Sequence, residues 1–435
     1  MERFDWTTAN EADRRSALAR PRGRADRAML DAVRAIVDDI RDRGWDGLVA
    51  QARAIDGVAP QRLEVAPFAA AARVYLPNDA QDAIALSATN IRAFHAATRP
   101  QDVVLETMPG LTVAKRWTAL DNAGLYIPGG KAPLFSTLLM LAIPANVAGV
   151  GRLTVVTPPR TGGGLDPAFA LAAETCGIAE VWTVGGAQAI AALAYGAGVI
   201  ERVNLICGPG NNWVSAAKAL VASTPGGPGI DLPAGPSELM VIADDSADPA
   251  FVAADLLSQA EHDLDAQVIL VTPSSGLIDR VTSEVERQSQ AIGGIYATGR
   301  AIRCADMAEA AAIANAYAPE HLSLATDDAE LLAHSIRNAG AVFAGHSAAE
   351  TFGDYLAGSS HVLPTDGAAR FTGGVSTLTF MKAITFQAVT RDAARGMAAP
   401  AAALARLEGL EAHARAAEAR GSEAPGRAST ASARA

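Results

Sequence analysis

Three short polar clusters, and a fourth in the C-terminal tail, bring together residue types that do chemistry in concert. In DLLSQAEHD, Gln259 and His262 are three residues apart, so a helix places both on one face within reach of one metal ion. A polar helix end or a solvent-facing histidine has the same spacing. In AYAPEHLSL, Glu320 and His321 follow Pro319 between apolar residues. Adjacent Glu and His suit general acid and base work because one environment can separate their pKa values, although an exposed pair looks the same in sequence. In TFGDYLAGSSHVLPT, Asp354 and His361 are flanked by small residues, and Asp354 has the chemistry of an oxygen ligand, an Asx-turn former or a solvated carboxylate. In EGLEAHARA, Glu408 and His413 only roughly share a helical face, and solvent is the simplest surrounding for a tail histidine. Among Cys176, Cys207 and Cys304, only Cys207 stands beside a glycine loop, where a thiol attacking an aldehyde would serve an oxidation. With Leu205 and Ile206 before it and no histidine near, Cys207 reads as a buried structural thiol.

Three glycine-rich turns follow apolar runs: GLYIPGGKAPLFST at 124 to 137, VGGAQAIAAL at 184 to 193 and ICGPGNNWVSAAK at 206 to 218. In each, a strand end meets a helix start, where free N–H groups and the positive dipole end favour an anionic group such as a pyrophosphate. None is GxGxxG, and one such turn is more often a tight connection than a ligand site. Three of them, with Asn and Gln at the helix mouths, point to a nucleotide.

The scaffold that must hold these groups is large. At 435 residues the chain exceeds one hydrophobic core, and with 50% apolar and 19% charged residues it has the surface to fold. The 36 Lys and Arg against 47 Asp and Glu give a net charge of -11 without a long basic run, which argues against nucleic acid as a partner. Three cysteines without CxxC spacing fit a reducing compartment. MERFDWTTANEADRR has no apolar signal-peptide core, so a soluble cytoplasmic protein is expected. The longest apolar stretch, Leu134 to Val150, contains Ser136, Thr137, Pro144 and Asn146 and falls short of the roughly 20 residues of a membrane span. It reads as a buried helix that breaks at Pro144.

Leu30, Val33, Ile36 and Ile40 recur at helical spacing, which predicts a helical N-terminal arm. From about residue 116, short apolar runs alternate with helical stretches. LTVVTPP, VWTV, VNLIC, ELMVIA and QVILVT read as buried parallel strands of two sheets in an α/β fold, with a crossing point in TPGGPGIDLPAGP at 224 to 236. The strand signal stops near residue 376, an Ala-rich helical tail runs to about Arg420, and the last fifteen residues have a composition that cannot pack.

Taken in order, GLYIPGGKAPLFSTLLMLAIPA, VGGAQAIAALAYG, GPGNNWVSAAK, GIDLPAGPSEL, ADLLSQAEHD, NAYAPEHL, GDYLAGSSHVLPT and EGLEAHARA resemble the L-histidinol dehydrogenase family over nearly the whole chain. The resemblance implies a homodimer with one zinc ion per subunit that oxidises L-histidinol to L-histidine, the final steps of histidine biosynthesis, through a bound aldehyde and two NAD. It assigns zinc to Gln259, His262, Asp354 and His413, with the tail crossing so that His413 and Glu408 complete the partner's site. His321 would take the hydroxyl proton, and Glu320 would activate the water that adds to the aldehyde. Substrate contacts would come from Ser237, Gln259, His262, His321, Asp354, His361, Glu408 and His413, and NAD contacts from Tyr126, Gln188 and Asn211.

The fold implied is two incomplete Rossmann-like parallel-sheet domains with a helical N-terminal arm and a C-terminal tail packed on the partner. Its expected segments are 1–115 (arm and first part of the substrate domain), 116–230 (NAD), 231–375 (zinc and catalysis), 376–420 (tail) and 421–435 (disordered). Departures from the family pattern are Trp45 in IRDRGWDGL and Trp213 in GPGNNWV. Two other readings compete: a related zinc and NAD enzyme for another small polar alcohol such as sulfopropanediol, and a metal-dependent hydrolase using Glu320, which leaves the glycine turns unexplained.

Overall fold

The computed structural model describes residues 1–20, 27–129, 134–232, 235–293 and 296–422. The expectation for 423–435 lies outside them, as do parts of the first glycine turn and of the 224–236 crossing. Two units are present, Met1–Arg99 with Ala119–Phe380, and Pro100–Thr118 with Met381–Ala435.

The first unit contains two six-stranded sheets. In one the order is Gln61–Glu64, Glu180–Thr183, Arg152–Thr157, Asn122–Tyr126, Leu205–Cys207 and Gly229–Ile230, parallel throughout except for Gln61–Glu64. The chain moves outward from Asn122–Tyr126 in one direction and then crosses back to Leu205–Cys207. The carboxyl ends of these two neighbours therefore flank the switch point, the usual ligand crevice of an open parallel sheet. In the other sheet Glu2–Asp5, Arg300–Arg303, Gln267–Thr272, Glu238–Ala243, His321–Ala325 and Ala341–Ala344 lie side by side, all parallel.

Alternation across the pleat explains why ELMVIA is apolar after its first residue. Leu239, Val241 and Ala243 pack with Val252, Leu256 and Leu277 on one side, while Met240 and Ile242 pack with Ile313, Tyr317 and Leu322 on the other. The strand Glu2–Asp5 was not expected in a helical arm; its partner lies some three hundred residues away, where local periodicity carries no information.

The apolar stretch forms one helix, Phe135–Ala148, which continues through Pro144 instead of breaking there. Proline removes one backbone N–H and costs about 3 kcal/mol in a helix interior. Here Leu138 to Ile143 are fully buried, so packing on every side holds the axis. The helix stops instead at Gly149, whose φ of 92° is open to glycine at little cost. Trp45 is accommodated edge-on to Trp182, with ring centroids 5.8 Å apart. Among the described residues no helix is long and apolar enough to cross a membrane.

The second unit has a three-stranded sheet, ordered Met381–Val389, Leu111–Ala119 and Val103–Met108, and two helices, Arg391–Leu407 and Glu411–Gly421. Met381–Val389 corrects the expectation that strands end near 376. Its apolar Ile384 and Phe386 alternate with Thr385 and Gln387, so no continuous apolar run announces it, and the Arg116 guanidinium lies over the Phe386 ring. The two helices meet through Ala398, Ala402 and Ala414, and Arg406 joins Glu411 and Glu418.

Candidate active site

Three of the polar clusters converge at the amino ends of the second sheet's central strands. Helix Pro249–Ala260 starts on Asp248, whose carboxylate accepts the Ala250 N–H, and brings a fully buried Gln259 to its last turn. His262 follows just past the helix end. Gln259 Nε2 lies 3.1 Å from His262 Nδ1, which in turn lies 3.5 Å from Ser237 Oγ. Helix Met307–Tyr317 ends in Ala318, held at φ 57°, and Pro319 then turns the chain so that Glu320 and His321 enter the strand beside Glu238–Ala243. Both side chains are buried.

Glu320 Oε2 accepts the N–H of Glu238 at 2.9 Å, and His321 Nδ1 lies 3.1 Å from the Glu238 carbonyl oxygen. Only a protonated nitrogen can meet a carbonyl, so Nδ1 carries hydrogen and Nε2 is the atom left for chemistry. Nε2 has no hydrogen-bond partner; Asp354 Oδ1, at 3.6 Å, is its neighbour. The short helix Glu350–Tyr355 puts Glu350 and Asp354 one turn apart on the same face, with Glu350 Oε1 3.6 Å from His321 Nδ1. His361 donates from Nδ1 to the Asp354 carbonyl at 3.0 Å, which leaves its Nε2, 3.3 Å from Thr137 Oγ1, to accept.

Three carboxylates therefore surround one imidazole. Burial opposes the His321 cation, but Glu320, Asp354 and Glu350 outweigh it and push the ring up to about 10. Burial pushes Glu320 up to about 7 and Glu350 up to about 8. Burial also works against ionised Asp354, yet His321 beside it holds it below the usual carboxylate value. His262 and His361 are lowered by burial, so both are neutral at pH 7 and have lone pairs to give. Three carboxyl groups crowd one imidazole, and Gln259 Oε1 and Glu350 Oε2 are buried oxygens with no partner. Both features suit a bound cation.

His321, Glu350 and Asp354 can each offer an atom within 4.8 Å of the others. This set shares only Asp354 with the ligands implied by resemblance. Glu350 was missed in the sequence, although its spacing of four from Asp354 is a helical-face signal. Ser237, Gln259, His262, Glu320, His321, Asp354 and His361 all belong to the first unit. Glu408 and His413 belong to the second, exposed at the end of helix Arg391–Leu407 and in the first turn of helix Glu411–Gly421.

The residues expected to meet NAD lie at the carboxyl ends of the other sheet. Tyr126 ends its strand and its hydroxyl accepts the Gly186 N–H at 3.3 Å. Gln188 is buried and donates to Asp56 at 3.0 Å. Asn211 caps helix Asn212–Ala222, accepting the N–H groups of Trp213 and Val214. Gly208 has φ 130°, and a Cβ there would lie 1.9 Å from the Tyr126 carbonyl oxygen, so this turn requires glycine. Cys207 is fully buried and its thiol is pushed well above its ordinary value by burial, which removes it as a nucleophile at neutral pH.

Behind the turn Lys218 pairs with Asp231 in the interior and donates to the Gly208 carbonyl at 2.9 Å, while Asp231 Oδ2 accepts the Gly208 N–H at 2.6 Å. Lys218→Met is expected to cost about 3–5 kcal/mol, because it strands a buried carboxylate. Urea denaturation should show a smaller loss for Lys218→Met with Asp231→Asn; an equal or larger loss would mean that the stranded charge is not what the single replacement exposes.

A family model described as histidinol dehydrogenase matches residues 19–421. The histidinol dehydrogenase of Colwellia psychrerythraea is 41% identical over 421 residues, covering 95% of this chain and 97% of that protein. That of Idiomarina loihiensis is 43% identical over 419 residues, covering 94% and 95%. A crystal structure of histidinol dehydrogenase from Elizabethkingia anophelis superposes with a TM-score of 0.90 at 37% identity, covering 97% of this chain and 98% of that one.

Proposed function

The chain belongs to the histidinol dehydrogenase family of NAD-dependent oxidoreductases, and from that premise we propose that it oxidises L-histidinol to L-histidine through a bound aldehyde, reducing two NAD in the cytoplasm. The observation that carries this reading is the buried Glu320–His321 pair set against Gln259, His262 and Asp354, with one unpartnered ring nitrogen aimed among them. His321 Nε2 takes the hydroxyl proton as hydride leaves the carbinol carbon for the nicotinamide. Glu320, raised to about 7, sits where it can take a proton from the water that adds to the aldehyde, and the hydrate then loses the second hydride and proton. The carboxyl ends that flank the first sheet's switch point, with Tyr126, Gln188 and Asn211, suit the dinucleotide.

The donors fit a zinc ion held by Gln259, His262, Asp354 and His413 of the partner subunit: two imidazoles, that of His262 kept neutral by burial, a carboxylate and the orphaned Gln259 Oε1. A metal held instead by His321 would take the lone pair that proton abstraction needs. When bound, the zinc orients the substrate's imidazole and amine, and its charge offsets the carboxylates that otherwise hold the His321 proton. In this reading Ser237 and His361 contact substrate from the same chain, and Glu408 reaches it from the tail of a second copy in a homodimer.

NADH formed per histidinol consumed tests the proposal. Two is the expected stoichiometry, abolished by a chelator; a value of one overturns the four-electron reaction, and inert histidinol overturns the substrate.

A further inference from the structure

Glu320 and His321 are both anchored on one peptide unit, that of Glu238, through its N–H and its carbonyl. Whatever fixes Glu238 therefore fixes the direction of both. Its side chain is almost fully buried. Its carboxylate accepts Arg20 Nε at 2.5 Å, Arg20 Nη2 at 2.8 Å and the Asp366 N–H at 3.0 Å. A two-pronged Arg–carboxylate pair sets angle as well as distance.

Arg20 makes a second set of contacts on the same strand entry. Nη2 donates to the carbonyls of Tyr317 at 3.0 Å and Ala318 at 3.3 Å, and the guanidinium lies 3.9 Å from the Tyr317 ring centroid. Ala318 is the residue at φ 57°, immediately before Pro319. A left-handed conformation costs an ordinary residue about 1–2 kcal/mol and persists only where its surroundings enforce it. Arg20 thus grips both the strained turn that leads into Glu320–His321 and the side chain whose backbone receives them.

We propose that Arg20, acting through Glu238, is a positioning residue that holds Glu320 and His321 in their reactive orientation. It touches no reacting atom, and nothing in the sequence marks it, because Glu238 lies 218 positions away. The inference rests on the proposed oxidation for its kinetic consequence and on contacts alone for its structural one.

The test uses metal-loaded enzyme carrying Arg20→Met, Arg20→Lys, Glu238→Gln and the double Arg20→Met/Glu238→Gln. Arg20→Met should lower kcat about 10–100-fold, the scale of a sub-ångström to ångström misplacement of catalytic groups, with histidinol KM and bound metal within about twofold of wild type. Arg20→Lys, which keeps the charge but not the fork, should restore part of the rate. The double variant should be no slower than the slower single, because the pair works as a unit. A kcat equal to wild type with only a lower Tm, or a raised KM with kcat unchanged, overturns the proposal.

Should Arg20→Met fail to fold, Arg20→Lys decides by the same criterion, a several-fold lower kcat against none. The second readout is the His321 Nδ1–H resonance, assigned by its loss in His321→Asn. It should exchange slowly with water in wild type and faster in Arg20→Lys, and equal exchange overturns the proposal. If wild-type enzyme leaves histidinol unchanged, the functional reading falls and this resonance alone settles the positioning role.

Discussion

His321→Asn is expected to slow both oxidations by about 10²–10⁴-fold, the usual contribution of a positioned acid–base group, and to leave bound metal at the wild-type amount. Asn keeps an N–H donor for the Glu238 carbonyl but has no basic nitrogen where Nε2 stands. Both half-reactions release a proton beside that atom, so both slow together, whereas Glu320→Gln should slow the aldehyde step more than the alcohol step. Single-turnover kinetics with each intermediate separates them. Loss of metal in His321→Asn would show that the residue is a ligand, as its place with Glu350 and Asp354 permits.

His262→Asn and Asp354→Asn should do the reverse and lose metal as well as activity. A direct ligand is worth more than the roughly 10–100-fold that an outer-shell partner contributes, so metal content after dialysis should fall to a small fraction of wild type. Excess zinc should restore part of the rate in these variants and none in His321→Asn. His413→Asn should behave as a ligand variant too. In a dimer whose sites are completed across the interface, mixing His413→Asn with His321→Asn subunits should recover about a quarter of wild-type activity, since half of the dimers then hold one intact site. No recovery would place His413 in the site of its own chain.

Much of this was legible in the sequence because its signals are local. Runs such as ELMVIA, QVILVT, VWTV and VNLIC mark buried parallel strands by composition alone, and tight glycine turns mark the carboxyl ends of the last two. Gln259 with His262 and Glu320 with His321 stand out as polar groups among apolar neighbours. What stayed hidden is non-local or quiet. Arg20 and Glu238 lie 218 positions apart, and no local pattern joins them. Glu350 sits in a helix of six residues, where its spacing of four from Asp354 is the one local hint. Met381–Val389 buries little, so its alternation has no apolar run beside it. Pro144 misleads for the opposite reason: its local cost is real, but the surrounding core outweighs it.

The edge strand Glu2–Asp5 bears on how the molecule is made. Synthesis at about 5–20 residues per second leaves this segment waiting roughly 15–60 s before Arg300–Arg303 leave the ribosome. Such distant closure is slow for its entropy, so this strand joins the second sheet only after most of the chain has been translated. A fragment beginning at residue 7 would expose Arg300–Arg303 as an open ladder of N–H and C=O groups, an invitation to edge-to-edge association. Truncating or crowding the amino terminus with a fused tag is therefore expected to show first as aggregation during expression.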